Sequence, residues 1–226
     1  MKRVMLNKDV LHGNQVQANH NRMLFVQHSL LTINVMSSPG SGKTTFLERT
    51  IQCLKAQWRM AVIEGDLATS LDAERIASCG VEVIQINTHG ACHLTSSMIS
   101  SVLPTFDLSE LDLVVIENVG NLVCPADFDL GEHLRVTLLS TPEGTDKIVK
   151  YPSVFQSSDA VILNKVDLLP YVPFDLKQFH QSLKEINPNV ATFLVSALKG
   201  EGMDQWIHWL QNQQAKIKKA NGRELT

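Results

Sequence analysis

A glycine-rich stretch, SSPGSGKTT at residues 37–45, follows an apolar run and precedes a helix-like segment. This is the context of a P-loop, in which backbone N–H groups hold phosphates and a lysine reaches the terminal ones. The predicted nucleotide contacts of this loop are Gly40, Ser41, Gly42, Lys43, Thr44 and Thr45. The Thr44 hydroxyl is also expected to ligate Mg²⁺. Ser37 replaces the first glycine of the usual pattern, so the turn must use backbone angles that a serine can adopt.

A second motif, NKVD at residues 164–167, ends another apolar run. In N-K-x-D motifs the aspartate, here Asp167, accepts hydrogen bonds from guanine, while Asn164 and Lys165 shape the base pocket. An adenine leaves that carboxylate unpaired, and an unpaired buried charge rejects it. The expected packing on the other side of the base comes from Ser196, Ala197 and Leu198. The two motifs together predict GTP as the nucleotide.

Acidic residues end two of the apolar runs between these motifs. Asp66 ends MAVIEGD and Glu117 ends LDLVVIE, and both are predicted, with Thr44, to contact Mg²⁺ or its water. Gly120 stands where GTPases carry the glycine of D-x-x-G, which senses the γ-phosphate. We predict that Lys43, Asp66, Glu117 and Gly120 support hydrolysis by positioning and charge neutralisation. No arginine finger has a fixed place in the sequence, so intrinsic turnover is expected to be low.

A cysteine–histidine pair, Cys92 and His93, and a distant cysteine, Cys124, form a candidate metal site. Each segment follows an apolar run, and the carboxyl ends of parallel strands share one edge of a sheet, so the three side chains are expected to meet. Two thiolates and an imidazole suit Ni²⁺ or Zn²⁺ and leave one position for another ligand. For Cys92 alone a buried thiol is the alternative interpretation. Cys53 and Cys79 are interpreted as thiols without a metal role.

Seven short apolar runs alternate with longer amphipathic stretches and carry these motifs at their ends. The runs are LLTINVMS, MAVIEGD, VEVIQIN, LDLVVIENV, LRVTLLS, AVILNKVD and ATFLVSA. Such alternation predicts an α/β P-loop NTPase fold, a doubly wound, mainly parallel seven-stranded sheet flanked by helices. All the motifs then lie at the carboxyl edge, where open parallel sheets bind ligands.

The chain is divided into an N-terminal helical extension at residues 1–28 and a GTPase domain at 29–226. The extension is predicted to form one or two short helices that pack against the sheet or a partner chain. Its histidines, His12, His20 and His28, are too sparse for a metal-binding tract and are interpreted as surface residues. His89 lies close enough to the cysteine–histidine pair to be a candidate auxiliary ligand.

The composition excludes several classes of protein. The 226 residues carry a net charge of −3 and are 44% hydrophobic, which is typical of one globular domain without a nucleic-acid footprint. The N-terminal segment lacks the apolar core of a signal peptide, and no run is long and apolar enough for a membrane span. A cytoplasmic protein without a membrane or nucleic-acid partner is expected, and its four cysteines show no disulfide framework.

The combined motifs closely resemble the HypB family, GTPases that help insert nickel during maturation of [NiFe]-hydrogenases. The blocks that carry the resemblance are SSPGSGKTT, EGDLATSLDAERI, GACHL, IENVGNLVCPADFDLGE, PEGTDKIVKYPSVF and NKVDLLPY. The resemblance implies that Cys92, His93 and Cys124 bind metal, that Lys43 and Thr44 contact phosphate and Mg²⁺, and that Asn164, Lys165 and Asp167 contact guanine. It also implies a homodimer that depends on GTP and metal. Nickel would pass, with an accessory protein of the HypA type, to a hydrogenase large-subunit precursor.

Three other functions stay open from the sequence. The related urease-maturation GTPases of the UreG family carry a C-P-H metal motif, whereas this chain has C-H without the proline and gains Cys124. A P-loop kinase for a small molecule, with structural thiols, would have no need of N-K-x-D. A non-catalytic metal-binding module would use the nucleotide only to set its oligomeric state.

Overall fold

The computed structural model describes residues 6–66 and 70–222, with the side chains of residues 6–9 left aside. Residues 1–5, 67–69 and 223–226 lie outside this part. They include the start of the predicted N-terminal extension, three residues of the EGDLATS segment and the end of the predicted GTPase domain.

Seven strands form one sheet whose hydrogen-bonded neighbours are all parallel. The strands are β1 Leu31–Ser37, β2 Met60–Asp66, β3 Glu82–Asn87, β4 Leu113–Glu117, β5 Leu134–Ser140, β6 Ala160–Asn164 and β7 Ala191–Leu194. Their order across the sheet is β3-β2-β4-β1-β5-β6-β7. The predicted fold class and the seven predicted strands are confirmed.

Helices cover both faces of the sheet. The α-helices are α1 Leu6–Gln27, α2 Lys43–Leu54, α3 Leu71–Ala77, α4 Ser96–Val102, α5 Lys147–Lys150, α6 Pro152–Gln156, α7 Leu176–Ile186 and α8 Met203–Ala220. Short 3-10 helices occupy Leu103–Thr105, Cys124–Asp127, Thr141–Glu143 and Val166–Tyr171. Among the described helices, none is both long and apolar enough to cross a membrane.

The central strand β1 is buried on both faces, and its polar residues Thr32, Asn34 and Ser37 are buried along with its apolar ones. Ile33 and Val35 lie in the core beneath α2 and α8, where Phe46 and Trp206 pack with ring centroids 5.3 Å apart. Asn34 lies between these two apolar residues in the strand and is fully buried, although it is polar. A buried amide needs hydrogen-bond partners, and those of Asn34 prove to connect two parts of the site.

The N-terminal segment forms one helix of 22 residues rather than the one or two short helices expected from the sequence. Phe25 of α1 is fully buried in a core cluster that also contains Ile99 of α4. The backbone of α1 lies so close to Gly131 that a Cβ there would come within 2.5 Å of Ala18 O. Gly131 also has φ +93°, so both space and conformation require glycine. Helix α1 therefore packs on the sheet as part of the same core.

Candidate functional site

A cavity of about 480 Å³ opens at the carboxyl ends of β1, β2 and β4. The residues that line it are Ser37, Ser38, Pro39, Gly40, Ser41, Gly42, Lys43, Thr44, Thr45, Glu64, Gly65, Asp66, Asp72, Arg75, Glu117, Val119 and Gly120. Helix α2 begins at Lys43, so the positive end of its dipole lies at this cavity, which favours phosphate. Ser37 ends β1 without a positive φ, so serine is compatible with the turn here.

Gly42 is where the P-loop meets the base-binding side of the site. Its φ is +91°, and a Cβ would lie 2.6 Å from Asn164 Nδ2. Gly42 and Thr45 also line a second cavity of about 310 Å³ that contains the NKVD residues. The phosphate cavity and this second cavity thus adjoin the same P-loop residues.

Lys43 has two protein partners at the phosphate cavity. Its ammonium group donates a hydrogen bond to Asn118 O and lies 3.6 Å from Glu117 Oε1. The Thr44 hydroxyl donates to the same Glu117 oxygen at 3.5 Å. One carboxylate therefore contacts both P-loop side chains that the sequence assigns to phosphate and Mg²⁺.

Two carboxyl groups lie side by side on neighbouring strands beneath the P-loop. Glu64 of β2 is in register with Glu117 of β4, and both are almost fully buried. Burial, followed by the negative charges of Glu117 and Asp66, raises the pKa of Glu64 to about 7. Burial also raises the pKa of Glu117, against the opposing effect of Lys43.

The acidic residues fit a magnesium ion. Among the described residues, neither Glu64 Oε2 nor Glu117 Oε2 has a hydrogen-bond partner, although both atoms are buried. Asp66 also lines the cavity, and Thr44 offers a hydroxyl oxygen. Mg²⁺ prefers such hard oxygen ligands and usually keeps several waters. Sequence reasoning missed Glu64, and the signal for it was a charged residue inside an otherwise apolar, buried strand.

Arg75 of α3 is a second residue that sequence reasoning missed. It lines the phosphate cavity, and its guanidinium group lies 2.7 Å from Glu48 Oε2 and donates to Thr45 Oγ1 at 3.2 Å. No motif in the sequence marks an arginine near the phosphates, whereas in the structure Arg75 reaches the phosphate cavity from α3. Its cation lies beside the P-loop and half-exposed to solvent.

The second cavity brings together the residues predicted to bind guanine. Its lining consists of Gly42, Thr45, Asn164, Lys165, Asp167, Leu168, Ser196, Ala197 and Leu198. Asn164 is only 2% exposed and is held by two backbone contacts. Its Nδ2 donates to Ser41 O at 3.0 Å, and its Oδ1 accepts from Ala197 N at 3.1 Å. Asn164 thus joins the P-loop, β6 and the segment after β7.

Lys165 and Asp167 form the rest of this cavity. Lys165 has φ +59°, and its carbonyl accepts a hydrogen bond from Thr141 Oγ1 at 2.7 Å. Its ammonium group donates to Gly40 O at 2.6 Å. The Asp167 carboxylate is largely buried and lies 3.9 Å from Lys199 Nζ. Leu198 stands at the rim and is mostly exposed, so its apolar side chain is available to cover a flat ring.

The structure brings Cys92, His93 and Cys124 together beside the phosphate cavity. One ligand atom from each lies within 4.8 Å of the others, and all three side chains are half-buried. The first pair lies between β3 and α4, while Cys124 begins the 3-10 helix after β4. Thr95 caps α4 by accepting a hydrogen bond from Met98 N at 3.4 Å, which ends the loop that holds the pair.

The protonation of this cluster depends on its own members. The pKa of the Cys92 thiol is raised, first by its hydrogen bond with the Cys124 side chain and then by burial. Burial lowers the pKa of His93, which favours the neutral imidazole that metals require. The His93 ring stacks on Phe128 with centroids 3.9 Å apart, so its orientation is restricted. A metal that binds here displaces thiol protons.

The remaining histidines and cysteines lie apart from this cluster. Among the described residues, the one set of three or more metal-binding side chains within reach of each other is Cys92, His93 and Cys124. His89, the candidate auxiliary ligand, is exposed and does not belong to it. His12 and His20 are exposed on α1, and His28 is half-buried after it. Cys53 is exposed on α2, and Cys79 is half-buried after α3.

Comparison with known proteins points to one family. A family model described as CobW/HypB/UreG, nucleotide-binding domain, matches residues 31–194. The hydrogenase maturation factor HypB of Escherichia coli K12 is 49% identical over 205 residues, which cover 91% of this chain and 71% of that protein. The hydrogenase/urease maturation factor HypB of Helicobacter hepaticus is 41% identical over 218 residues, covering 95% and 89%.

A solved structure extends this likeness to three dimensions. The crystal structure of HypB from Helicobacter pylori in complex with nickel is similar to this chain with a TM-score of 0.85. The sequences are 37% identical, and the match covers 90% of this chain and 96% of that one.

Proposed function

The chain belongs to the CobW/HypB/UreG family, among its HypB members, and on that basis we propose that it is a GTP-hydrolysing nickel metallochaperone. In this role it assists insertion of nickel into a [NiFe]-hydrogenase large-subunit precursor. Nickel is its cargo, and the nucleotide governs when the cargo is held. Family membership favours this role over the small-molecule kinase that the P-loop alone also allows.

One observation supports the proposal most strongly. A phosphate cavity, an adjoining base cavity and a cluster of two thiols and an imidazole lie at one edge of the sheet. The Cys92–Cys124 cluster comes from the loops after β3 and β4, and β4 also ends at the phosphate cavity. The segment after β4 would therefore contribute to both the nucleotide site and the metal site.

The preference for GTP follows from the base cavity. Asp167 is largely buried, and among the described residues its ion-pair partner is Lys199, at 3.9 Å. Guanine offers this carboxylate two N–H donors, whereas adenine offers none in that place, so ATP would leave the charge unpaired. The proposed guanine contacts are Asn164, Lys165, Asp167, Ser196, Ala197 and Leu198.

Hydrolysis is assigned to the phosphate cavity. Lys43 and the N-terminus of α2 bind the phosphates, and Thr44, Asp66 and Glu117 are the proposed ligands of Mg²⁺ or its water. When bound, Mg²⁺ neutralises charge that develops on the phosphates. Gly120 contacts the γ-phosphate through its backbone. Slow turnover is expected, because Arg75, the arginine that lines the phosphate cavity among the described residues, is half-exposed and paired with Glu48.

The metal cluster suits nickel as transferable cargo. Cys92, His93 and Cys124 supply three soft or borderline ligands, which bind both Ni²⁺ and Zn²⁺. The fourth position is left to water, another side chain or a second subunit. A half-buried site with three ligands holds a metal less tightly than a closed four-ligand site, as transfer requires.

Release is coupled to the nucleotide through the segment after β4. Gly120 and Cys124 lie four positions apart, so movement at the γ-phosphate reaches a metal ligand directly. We further propose that GTP and metal promote a homodimer and that a protein of the HypA type assists delivery. We also propose that this work takes place in the cytoplasm, where thiols stay reduced.

The proposed function is tested by hydrolysis and chromatography on the purified protein. Phosphate release with Mg²⁺ should be slow with GTP and at least about 100-fold weaker with ATP at equal concentration. Gel filtration should give a dimer when a non-hydrolysable GTP analogue and Ni²⁺ are both present, and a monomer with GDP. Equal use of ATP, or a monomer under both conditions, contradicts the proposal.

A second candidate, service to urease, rests on one comparison. The Helicobacter hepaticus relative carries a name that joins hydrogenase and urease maturation. The two roles need the same nucleotide and metal sites and differ in the recipient of the nickel. Deleting the gene and measuring both enzymes in the same cells separates them, because loss of urease alone would favour this second role.

A further inference from the structure

A chain of buried polar side chains connects the phosphate cavity with the metal cluster. Its centre is Asn118, the residue directly after β4, which is 0% exposed. Its backbone carbonyl accepts the hydrogen bond from Lys43 Nζ. Its side-chain oxygen accepts hydrogen bonds from Leu94 N at 3.1 Å and from Val119 N at 3.0 Å. One residue thus contacts the P-loop lysine and the residue that follows His93.

A second branch leaves Asn118 through its amide nitrogen. Asn118 Nδ2 donates to Asn34 Oδ1 at 3.2 Å, and Asn34 Nδ2 donates to Glu132 Oε1 at 3.3 Å. The same Glu132 oxygen accepts from Arg135 Nε at 2.8 Å, and Arg135 also donates to Ala126 O at 3.0 Å. Ala126 lies in the 3-10 helix that Cys124 begins. The branch therefore ends beside the other metal ligand.

These polar residues occupy buried positions where apolar residues would cost less free energy of desolvation. Asn34 is 0% exposed and Glu132 is 6% exposed. Burial of an amide or carboxylate costs free energy that its hydrogen bonds only partly return, and an apolar replacement is often neutral or stabilising. The Asn34 and Asn118 side chains are satisfied on both their oxygen and their nitrogen. A fully satisfied network of this kind fixes one arrangement of the loops that it joins.

We propose that Asn118 is the positioning residue through which the occupancy of the phosphate cavity sets the geometry of the metal cluster. This inference rests on the proposed function, because it explains how GTP changes the hold on nickel. Lys43 has three N–H donors, and its present partners are Asn118 O and Glu117. Terminal phosphates compete for the same donors. The strength of the hydrogen bond from Lys43 to Asn118 O therefore depends on which nucleotide is bound.

The consequence reaches the metal through a rigid path. Leu94 is 0% exposed and packs in the core. Because its backbone amide donates to the Asn118 side chain, a shift of Asn118 moves the Leu94 backbone and, with it, the preceding residue His93. Linkage then requires that metal and nucleotide change each other's affinity by the same factor.

A parallel route through Asn121 is the rival explanation. Asn121 follows Gly120, donates to Cys92 O at 3.4 Å and accepts from Val123 N at 2.9 Å. It is half-buried, whereas Asn118 is fully buried, and its longer contact is at the limit of a hydrogen bond. Truncation of each asparagine separates the two routes.

The test is the ratio of Ni²⁺ dissociation constants with GDP and with a non-hydrolysable GTP analogue, measured anaerobically. The wild type should show a ratio that differs from one by about tenfold. Asn118→Ala should bring the ratio to within about twofold of one. Asn121→Ala should keep the wild-type ratio. The control is Asn187→Ala, an asparagine that donates to Ser158 O at 2.8 Å away from both sites, and it should also keep that ratio.

The outcomes separate this inference from the proposed function. A wild type without nucleotide-dependent nickel affinity contradicts both. A coupled wild type whose ratio survives in Asn118→Ala overturns the role of Asn118 alone, and so does loss of the ratio in Asn121→Ala only.

A measurement on the wild type covers the case in which Asn118→Ala does not fold. In metal-free protein, the GTP analogue in place of GDP should change the hydrogen-exchange rate of the Leu94 amide by about tenfold. The Asn187 amide, which donates to Leu183 O at 2.8 Å, serves as the control and should not respond. An unchanged Leu94 amide overturns the proposal.

Discussion

The base cavity and the metal cluster lie at the same edge of the sheet, yet they hold their side chains in different ways. Asn164 ends β6 and is fixed by backbone groups on two other segments. Cys92 and Cys124 lie on loops, and both are half-buried. The base cavity is supported by the end of a strand, whereas the metal cluster is supported by two loops, one of which follows the strand that ends at the phosphate cavity.

This difference matches the role proposed for each site. Selection of guanine over adenine depends on donors and acceptors that are held in place. A mobile carboxylate could rotate towards solvent and hydrogen-bond to water, and the site would then accept either base. Transfer of a metal requires the opposite, since a rigid, closed shell would not give the ion away. Preorganisation at one site and adjustable geometry at the other can thus coexist on one sheet.

The largest effect is expected at Lys43, which lines the phosphate cavity and donates a hydrogen bond to Asn118 O. Lys43→Ala removes the cation that holds the terminal phosphates, so kcat for GTP should fall by about 1000-fold. Steady-state phosphate release measures it. Lys199→Ala, at the base cavity, removes a cation without touching the phosphates and should leave kcat within about threefold. Comparable losses in the two variants would contradict the assignment of Lys43.

Loss of a metal ligand should affect one site and spare the other. Cys124→Ala leaves two ligands, so the affinity for Ni²⁺ should fall by about 100-fold while GDP affinity stays unchanged. Anaerobic titration followed by thiolate-to-nickel absorbance measures the first, and fluorescence of a labelled GDP the second. Cys53→Ala, which removes an exposed thiol on α2, is the matched control. Equal nickel affinity in both variants would contradict the assignment of Cys124 as a metal ligand.

The reverse experiment changes the base cavity. Asp167→Asn removes the acceptor for guanine, so GTP affinity should fall by about 30-fold while xanthosine triphosphate gains, because its ring offers an acceptor in that place. Nickel affinity without nucleotide should not change. Asp204→Asn, which changes an exposed carboxylate on α8, controls for loss of charge. An unaltered preference for GTP would show that Asp167 does not read the base.

The smallest effect concerns the stability of the acidic pair beneath the P-loop. Because the pKa of Glu64 is raised to about 7, the folded protein holds its proton more tightly than the unfolded chain. The contribution of Glu64 to stability should therefore fall as pH rises from about 4.5 to about 7, by about 3 kcal/mol. Glu64→Gln has no such ionisation, so the Tm of the variant relative to wild type should rise over this range by about 6 °C.

Thermal unfolding without nucleotide or divalent cation measures this effect. The comparison is the difference between variant and wild type, because His133, whose pKa burial lowers to about 4, adds an opposite slope at acidic pH to both proteins. Glu82→Gln on β3 is an exposed control and should show no pH-dependent difference. A constant difference between Glu64→Gln and wild type at all pH values would contradict an ionising Glu64.

The fold and the main motifs could be predicted because they depend on local patterns. Apolar runs of strand length mark all seven strands, and Asp66, Glu117 and Asn164 each end one of them. Parallel topology then places Cys124 near Cys92 even though their sequence separation is large.

The rest depended on packing between distant segments. Glu64 is in the middle of a buried run, and the neighbour that makes it functional, Glu117, lies on another strand. The single helix α1 forms despite a weakly amphipathic sequence, because buried Asn21 donates to Leu130 O at 3.0 Å and to Ser96 O at 2.8 Å. Such long-range partners leave no periodic signal in the sequence.

The central claim, that one sheet edge makes nickel binding depend on the nucleotide, is tested most directly by a nickel titration of the wild-type protein. Absorbance from thiolate-to-nickel charge transfer, recorded anaerobically with GDP and then with a non-hydrolysable GTP analogue, reports the ligands and the affinity together. We predict thiolate bands in both states and dissociation constants that differ by about tenfold. Identical bands and equal constants with the two nucleotides would contradict the account.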